Sequence, residues 1–187
     1  MGAWLLLRPG TQRRTGCNGG TSSLNQVARM SVVKKSAHIT PFLWFDANAE
    51  EAVDFYLSIF KNSRKVSEHV RAIDDPSGKK GTILTISFEI GDQQFTALNG
   101  GPSHKFTDAI SFVVHCETQE EIDYYWSKLT EGGGNEVACG WLKDKFGLSW
   151  QIISDRLMGL LKNPKAMEAL MKMKKLDIAE LERAGRG

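Results

Sequence analysis

The spacing of apolar residues switches from strand-like to helix-like, and the same switch returns seventy positions later. A first apolar run, Ile39 to Phe45, is bounded by polar residues and reads as a strand. Asn48-x-x-Glu51 follows, a capping residue with a carboxylate at the third helical position that can reach back to the cap's own amide. Ala52, Val53, Tyr56, Ile59 and Phe60 then recur at helical spacing. The second copy has Ile110 to Val114, Thr118-x-x-Glu121, and Ile122, Tyr125, Trp126 and Leu129 in the same order. Laying Ile39–Phe60 beside Ala109–Thr130 sets Phe42 against Phe112, Glu50-Glu51 against Glu120-Glu121, and Phe55-Tyr56 against Tyr125-Trp126. The chain carries an internal repeat.

Three extended segments follow each helix. In the first half they cover 65–73, 82–90 and 93–98, with turns at Asp75-Pro76-Ser77-Gly78 and Gly91-Asp92. In the second they cover 135–138, 141–145 and 148–154, after Gly132-Gly133-Gly134 and around Phe146-Gly147. The pattern is β-α-β-β-β twice. It predicts an α+β fold whose two cupped mixed sheets carry their helices on the outer face, leaving the opposite face free to curl around a ligand. Alternation sends Leu84, Ile86, Phe88 and Ile90 toward a helix and Thr85, Ser87 and Glu89 away from it. On the first strand of each module and the last strand of the second, the parity chosen here turns Phe42, Trp44, Trp150 and Ile152 to the helices. It turns Leu43, Phe45, Ser111, Val113 and Gln151 to the open face, and Trp141 sits at its rim.

Residues 38–155 form the expected domain. Beyond it, a tail of 156–187 spaces Leu157, Leu160, Leu161, Met167, Leu170, Met171, Met173, Leu176, Ile178 and Leu181 as two or three short helices broken at Pro164. These pack on the domain or on a partner subunit. Residues 1–37 show no periodicity and are expected to be a disordered leader. An over-extended reading frame with Met30 as the start is a second reading of them, and a transit peptide, from Arg8, Arg13, Arg14 and Arg29 among Ser, Thr and Gly, is a third.

Composition narrows the function. A net charge of +2, with 41% hydrophobic and 25% charged residues, describes an ordinary globular protein and supplies no electrostatic footprint for nucleic acid. No apolar run reaches the ~18 residues of a membrane span. Cys17, Cys116 and Cys139 lack metal or disulfide spacing, which points to a reducing cytoplasm.

Ile39-Thr-Pro-Phe-Leu-Trp-Phe-Asp46, Ala-Leu-Asn-Gly-Gly at 97–101, Gly140-Trp-Leu-Lys-Asp-Lys-Phe-Gly-Leu-Ser-Trp-Gln151 and Met171-Lys-Met-Lys-Lys-Leu-Asp-Ile178 stand in an order that resembles one family. It is the PhnB-like branch, labelled "3-demethylubiquinone-9 3-methyltransferase", of the vicinal-oxygen-chelate (glyoxalase/bleomycin-resistance) superfamily. The resemblance covers about 38–184. It implies a homodimer and, in metal-using relatives, a His, Gln or Glu ligand on each of four module-edge strands. At those positions this chain has residues such as Pro41, Leu98, Ala109 and Ser111, so no metal is expected; only Gln151 and His115 could ligate. The methyltransferase label implies a glycine-rich turn opening a helix, whereas Gly132–Gly134 follow a helix and Gly100-Gly101 end a hairpin strand. No cofactor is expected. The resulting expectation is a metal-free protein that binds a small, partly aromatic or hydrophobic molecule through Phe45, Asn99, Ser111, Trp141 and Gln151. A glyoxalase-type enzyme or a methyltransferase is the alternative, and whether the chain catalyses anything stays open. Asp144 reads as a turn residue, and His38, His69 and His104 read as isolated.

Overall fold

The computed structural model describes residues 39–186, which lie within one compact unit. The expected leader therefore falls outside the described residues. Two modules follow in chain order. The first contains β1 (Phe42–Phe45), α1 (Ala49–Ile59), β2 (Ser63–Val70), β3 (Ile83–Ile90) and β4 (Gln93–Asn99). The second contains β5 (Ser111–Cys116), α2 (Gln119–Thr130), β6 (Asn135–Glu136), β7 (Trp141–Lys143) and β8 (Ser149–Ser154). Three tail helices complete the unit: α3 (Leu157–Leu160), α4 (Pro164–Leu170) and α5 (Ile178–Arg186). Each module forms a four-stranded mixed sheet, ordered β1-β4-β3-β2 and β5-β8-β7-β6, with the first strand parallel to the last and the remaining pairs antiparallel.

One face of each sheet is covered by its helix. Ala49, Ala52, Val53, Tyr56 and Ile59 bury the face of α1 against Leu43, Phe45, Ile86, Phe88, Phe95 and Ala97. Burying each large side chain contributes roughly 1.5–3 kcal/mol, so this stripe holds α1 where intrinsic propensity alone would not. The register of β1 corrects the expected parity. Leu43 pairs with Ala97 and Phe45 with Asn99, both on the α1 side, so Phe42 and Trp44 take the other face. Each of the four β1 residues is apolar, so the alternation that fixes parity elsewhere is missing from this strand. In the second module the expected parity holds: Phe112, Val114, Trp150 and Ile152 pair on the helix side, while Ser111, Val113 and Gln151 lie opposite.

The two helices begin differently. Thr118 accepts a hydrogen bond from Glu121 N at 3.2 Å, and Glu121 Oε2 accepts one from Glu117 N, one residue earlier than the expected capping box. Asn48 makes no side-chain cap. Asn99, fifty residues away on β4, accepts from Ala49 N at 2.8 Å instead.

The modules meet around one carboxylate. Asp144, only 3% exposed, accepts from Tyr56 Oη of α1 at 2.8 Å, from Trp150 Nε1 at 2.9 Å, and from the amides of Phe146 and Leu148. Tyr56 of α1 and Phe60 at its C-cap pack on Trp150, Phe60 stacks on Tyr125 of α2, and Phe95 and Phe112 pack edge-to-face. The sequence showed Asp144 only as a turn residue. It is also the joint between the repeats.

The tail belongs to the second module. Cys139 and Gly140 both take the left-handed backbone region, and their amides donate to Met173 O and Lys174 O. A side chain at Gly140 would strike Leu176 and the carbonyl of Ile152. Gln119, in the first turn of α2, donates to Leu176 O and accepts from Ile178 N. Ala166, Leu170, Leu176, Ile178 and Leu181 are buried against this surface, while Met158 and Met171 remain exposed. Pro164 opens α4 behind the Asn163 cap, as proline at a first helical turn should.

Candidate functional site

The open faces of the sheets carry mostly short neutral side chains. By register, Thr85 and Ser87 of β3 share one with Thr96 and Leu98 of β4 and with Phe42 and Trp44 of β1. Ser111 and Val113 of β5 share the other with Ser149, Gln151 and Ile153 of β8 and Trp141 of β7. Charged groups such as Arg64, Glu89 and Lys143 lie on peripheral strands or strand ends.

Three of the expected site residues converge here. Gln151 is half-buried, pairs across the strands with Val113 and Trp141, and donates from Nε2 to Ser111 Oγ at 2.8 Å. The other two do not join them. Phe45 points to the α1 side, where it makes edge-to-face contacts with Phe106 and Phe146 at 5.3 and 5.9 Å between ring centres. Asn99 is buried and its amide is fully used: besides capping α1, it donates to Glu50 Oε2 at 2.7 Å and to the carbonyl of Ile83 at 3.0 Å. Its own carbonyl accepts from the buried guanidinium of Arg71, which also binds Asp75 and Ser77 O. Asn99 thus fixes the end of β4, the start of α1 and the loop after β2.

Sequence reasoning missed two further clusters. His115 Nδ1 lies 3.0 Å from Asp155 Oδ1, at the end of the face that holds Ser111 and Val113. Forty residues separate the pair, and only the β5–β8 register brings it together. A cleft of about 360 Å³ opens between the β1–α1 turn, the linker from β4 to β5, and the β7–β8 turn. Trp44, Phe45, Phe106 and Phe146 line it, together with Asp46, His104, Lys105 and Lys145. The motif around Asp144 marked the last of these turns, but nothing in the sequence showed that the linker folds against it.

The titratable groups divide by location. Burial raises the Asp144 carboxyl above its ordinary value, against the pull of its four hydrogen bonds, and burial together with Asp144 raises Tyr56 well above the usual phenol range. Burial, with Glu121 and Asp155, pushes the Cys116 thiol up to about 12, so it is no ready nucleophile. Among the described residues no three His, Cys, Asp or Glu side chains converge as metal ligands. The open-face residues of the four module-edge strands are largely Phe, Trp, Leu, Val, Thr and Ser, a donor set that does not fit a resident metal. Nor do the glycines fit a nucleotide cradle, since Gly132–Gly134 lie between α2 and β6 and Gly100-Gly101 follow β4.

Two βαβββ modules with this strand order define the vicinal-oxygen-chelate fold. The chain belongs to the 3-demethylubiquinone-9 3-methyltransferase family, whose pattern matches residues 37–153. A Bacillus cereus structure described as a 3-demethylubiquinone-9 3-methyltransferase, PhnB protein, is 38% identical, with a TM-score of 0.57, over 63% of this chain and 99% of that one. A Pseudomonas aeruginosa protein at 20% identity shares the fold, with a TM-score of 0.52 over 64% of this chain and 98% of its own. No curated protein matches the chain.

Proposed function

We propose that this PhnB-like protein binds a small, neutral, partly aromatic molecule on the open sheet faces without a metal. The half-buried Gln151–Ser111 pair between Val113 and Trp141 carries this reading. A sheet face left to solvent is normally populated by Lys, Glu and Asp, whereas the centre of these faces holds hydroxyls, an amide and aromatic rings, with Arg64, Glu89 and Lys143 kept to the margins, the make-up of a ligand surface. An amide can donate and accept toward a neutral ligand without the desolvation cost of an ion. The occupied surface is completed by a second copy of the chain: Ile39, Phe42, Ile110 and Val113 lie exposed on and beside the two module-edge strands β1 and β5. Among the described residues no helix is long and apolar enough to cross a membrane. The free thiols of Cys116 and Cys139 suit a reducing cytoplasm.

One observation favours an enzyme as the second reading. The His115–Asp155 pair stands two residues along the strand from Val113, on the same face, and an imidazole steadied by a carboxylate is a natural proton acceptor. Methyl transfer finds no comparable support, because the glycine clusters do not fit its cofactor.

The test is a thermal-shift screen of neutral phenols, quinones and coumarins on wild type and Gln151→Leu. The variant should melt normally and bind its hits about 1–2 kcal/mol more weakly, the range for a lost buried hydrogen bond. Unchanged affinity for every hit would remove the open face as the site. Elemental analysis should find no stoichiometric metal, and light scattering should read a dimer.

A further inference from the structure

The cleft at the seam between the modules is separate from the Gln151 face, and the geometry points to it as a second binding site, for a small planar aromatic carboxylate. Its walls come from three segments far apart in sequence, and each is fixed by other contacts. Trp44 donates its indole N–H to Gly101 O at 2.8 Å, and its ring lies so close over Gly100 that any side chain there would collide with it. The His104 ring meets Trp44 edge-on at 4.5 Å between centres. Phe106 and Phe146 both pack edge-to-face with Phe45. Asp144 fixes the turn carrying Phe146 by accepting the amides of Phe146 and Leu148. A cavity held this way needs little ordering on binding. At about 360 Å³ it sits near the small end of ligand pockets and suits a one- or two-ring molecule.

Charge chooses the class of ligand. Lys145 Nζ is already paired with Glu51 at 2.6 Å and lies 5.1 Å from the centre of the Phe146 ring, so its charge is largely balanced. Lys105 is exposed and has no hydrogen bond or ion pair among the described residues. It lines this cleft and also a smaller apolar cavity of about 250 Å³ on the other side of Phe106. His104 and Asn48 add further donors, the latter because its side chain makes no cap bond to α1. Asp46 is the one carboxylate in the lining. Donors with unspent capacity therefore surround an aromatic floor, which favours a flat ring bearing a carboxylate over a neutral or cationic one.

The probe is 2-naphthoate, with 2-naphthamide as its uncharged twin, followed by quenching of tryptophan emission. Trp44 lines the cleft and reports its occupation. Wild type should bind the acid several-fold more tightly than the amide. Lys105→Glu, a change at an exposed residue, should weaken naphthoate at least tenfold while circular dichroism stays unchanged, and Phe106→Ala should weaken both compounds. Gln151→Leu should leave naphthoate binding as it is. Equal affinity of Lys105→Glu and wild type for naphthoate would overturn the assignment, as would equal binding of acid and amide or no binding at all. If Gln151→Leu abolishes naphthoate binding, the carboxylate sits on the open sheet face instead; the seam site is then wrong, and the open face remains the binding surface but not one reserved for neutral ligands.

Discussion

The two modules repeat one core but finish their sheets in different ways. Module 1 is completed from within. Its β2 and β3 are eight residues each, Asn99 of β4 starts α1, and buried Arg71 ties the following loop to Asn99 and Asp75. Module 2 has a two-residue β6 and a three-residue β7, and the tail supplies what they lack. Residues 173 and 174 accept the amides of the Cys139–Gly140 bend, and Leu176 fills the space that Gly140 leaves. A repeat thus preserves the helix-on-sheet core, where many side chains must agree, and is free to vary at sheet ends, where any partner that satisfies the backbone will serve.

The sharpest way to break this contrast is at the tail. Leu176→Ala should cost about 3 kcal/mol in urea unfolding, the usual loss for a fully buried leucine, because it opens a void over Gly140. Val70→Ala on the exposed end of β2 should cost almost nothing. Equal effects would mean that the tail merely rests on module 2.

Next come the two helix starts. Thr118→Ala removes a local, exposed cap and should cost about 1 kcal/mol. Asn99→Ala removes a buried amide that serves Ala49, Glu50 and Ile83 at once and should cost about 2–3 kcal/mol by denaturant titration. If the two costs match, Asn99 is no more than a cap.

The smallest effect is on pH. Lys80 N and Lys79 hold the Asp74 carboxyl below its usual range, and Ser77 with Arg71 does the same for Asp75. Their contribution is present above the unfolded carboxylate value of about 3.9 and is lost as pH falls through the lower folded values. Asp144 runs the other way. Its raised carboxyl contributes most below the unfolded value and less as pH rises through the folded one. On lowering pH from 5 to 3, hydrogen-exchange protection factors, which correct for the slower intrinsic exchange in acid, should therefore fall in the loop 71–82 and not around Asp144.

How legible all this was depended on alternation and distance. Both helices, the βαβββ order and the open face of module 2 follow from local periodicity, because Phe112, Val114 and Ile152 alternate with Ser111, Val113 and Gln151. Strand β1 carries no such alternation, so the sides of Trp44 and Phe45 were exchanged. Asn99 looked like a pocket amide because its type was visible while its partners, at positions 49, 50, 71 and 83, were not. The seam cleft and the His115–Asp155 pair are products of register and linker path, which no spacing along the chain encodes.

One carboxylate serving both halves has a thermal consequence. Tyr56 reaches Asp144 from one repeat and Trp150 from the other, in a core through which α1, α2 and both sheets are continuous. Separating the halves would break the Tyr56–Asp144 hydrogen bond and open the aromatic core they share, and that penalty should make the partly unfolded states scarce. The duplicated halves, though separately recognisable in the sequence, are expected to form a single cooperative unit and to melt in one step.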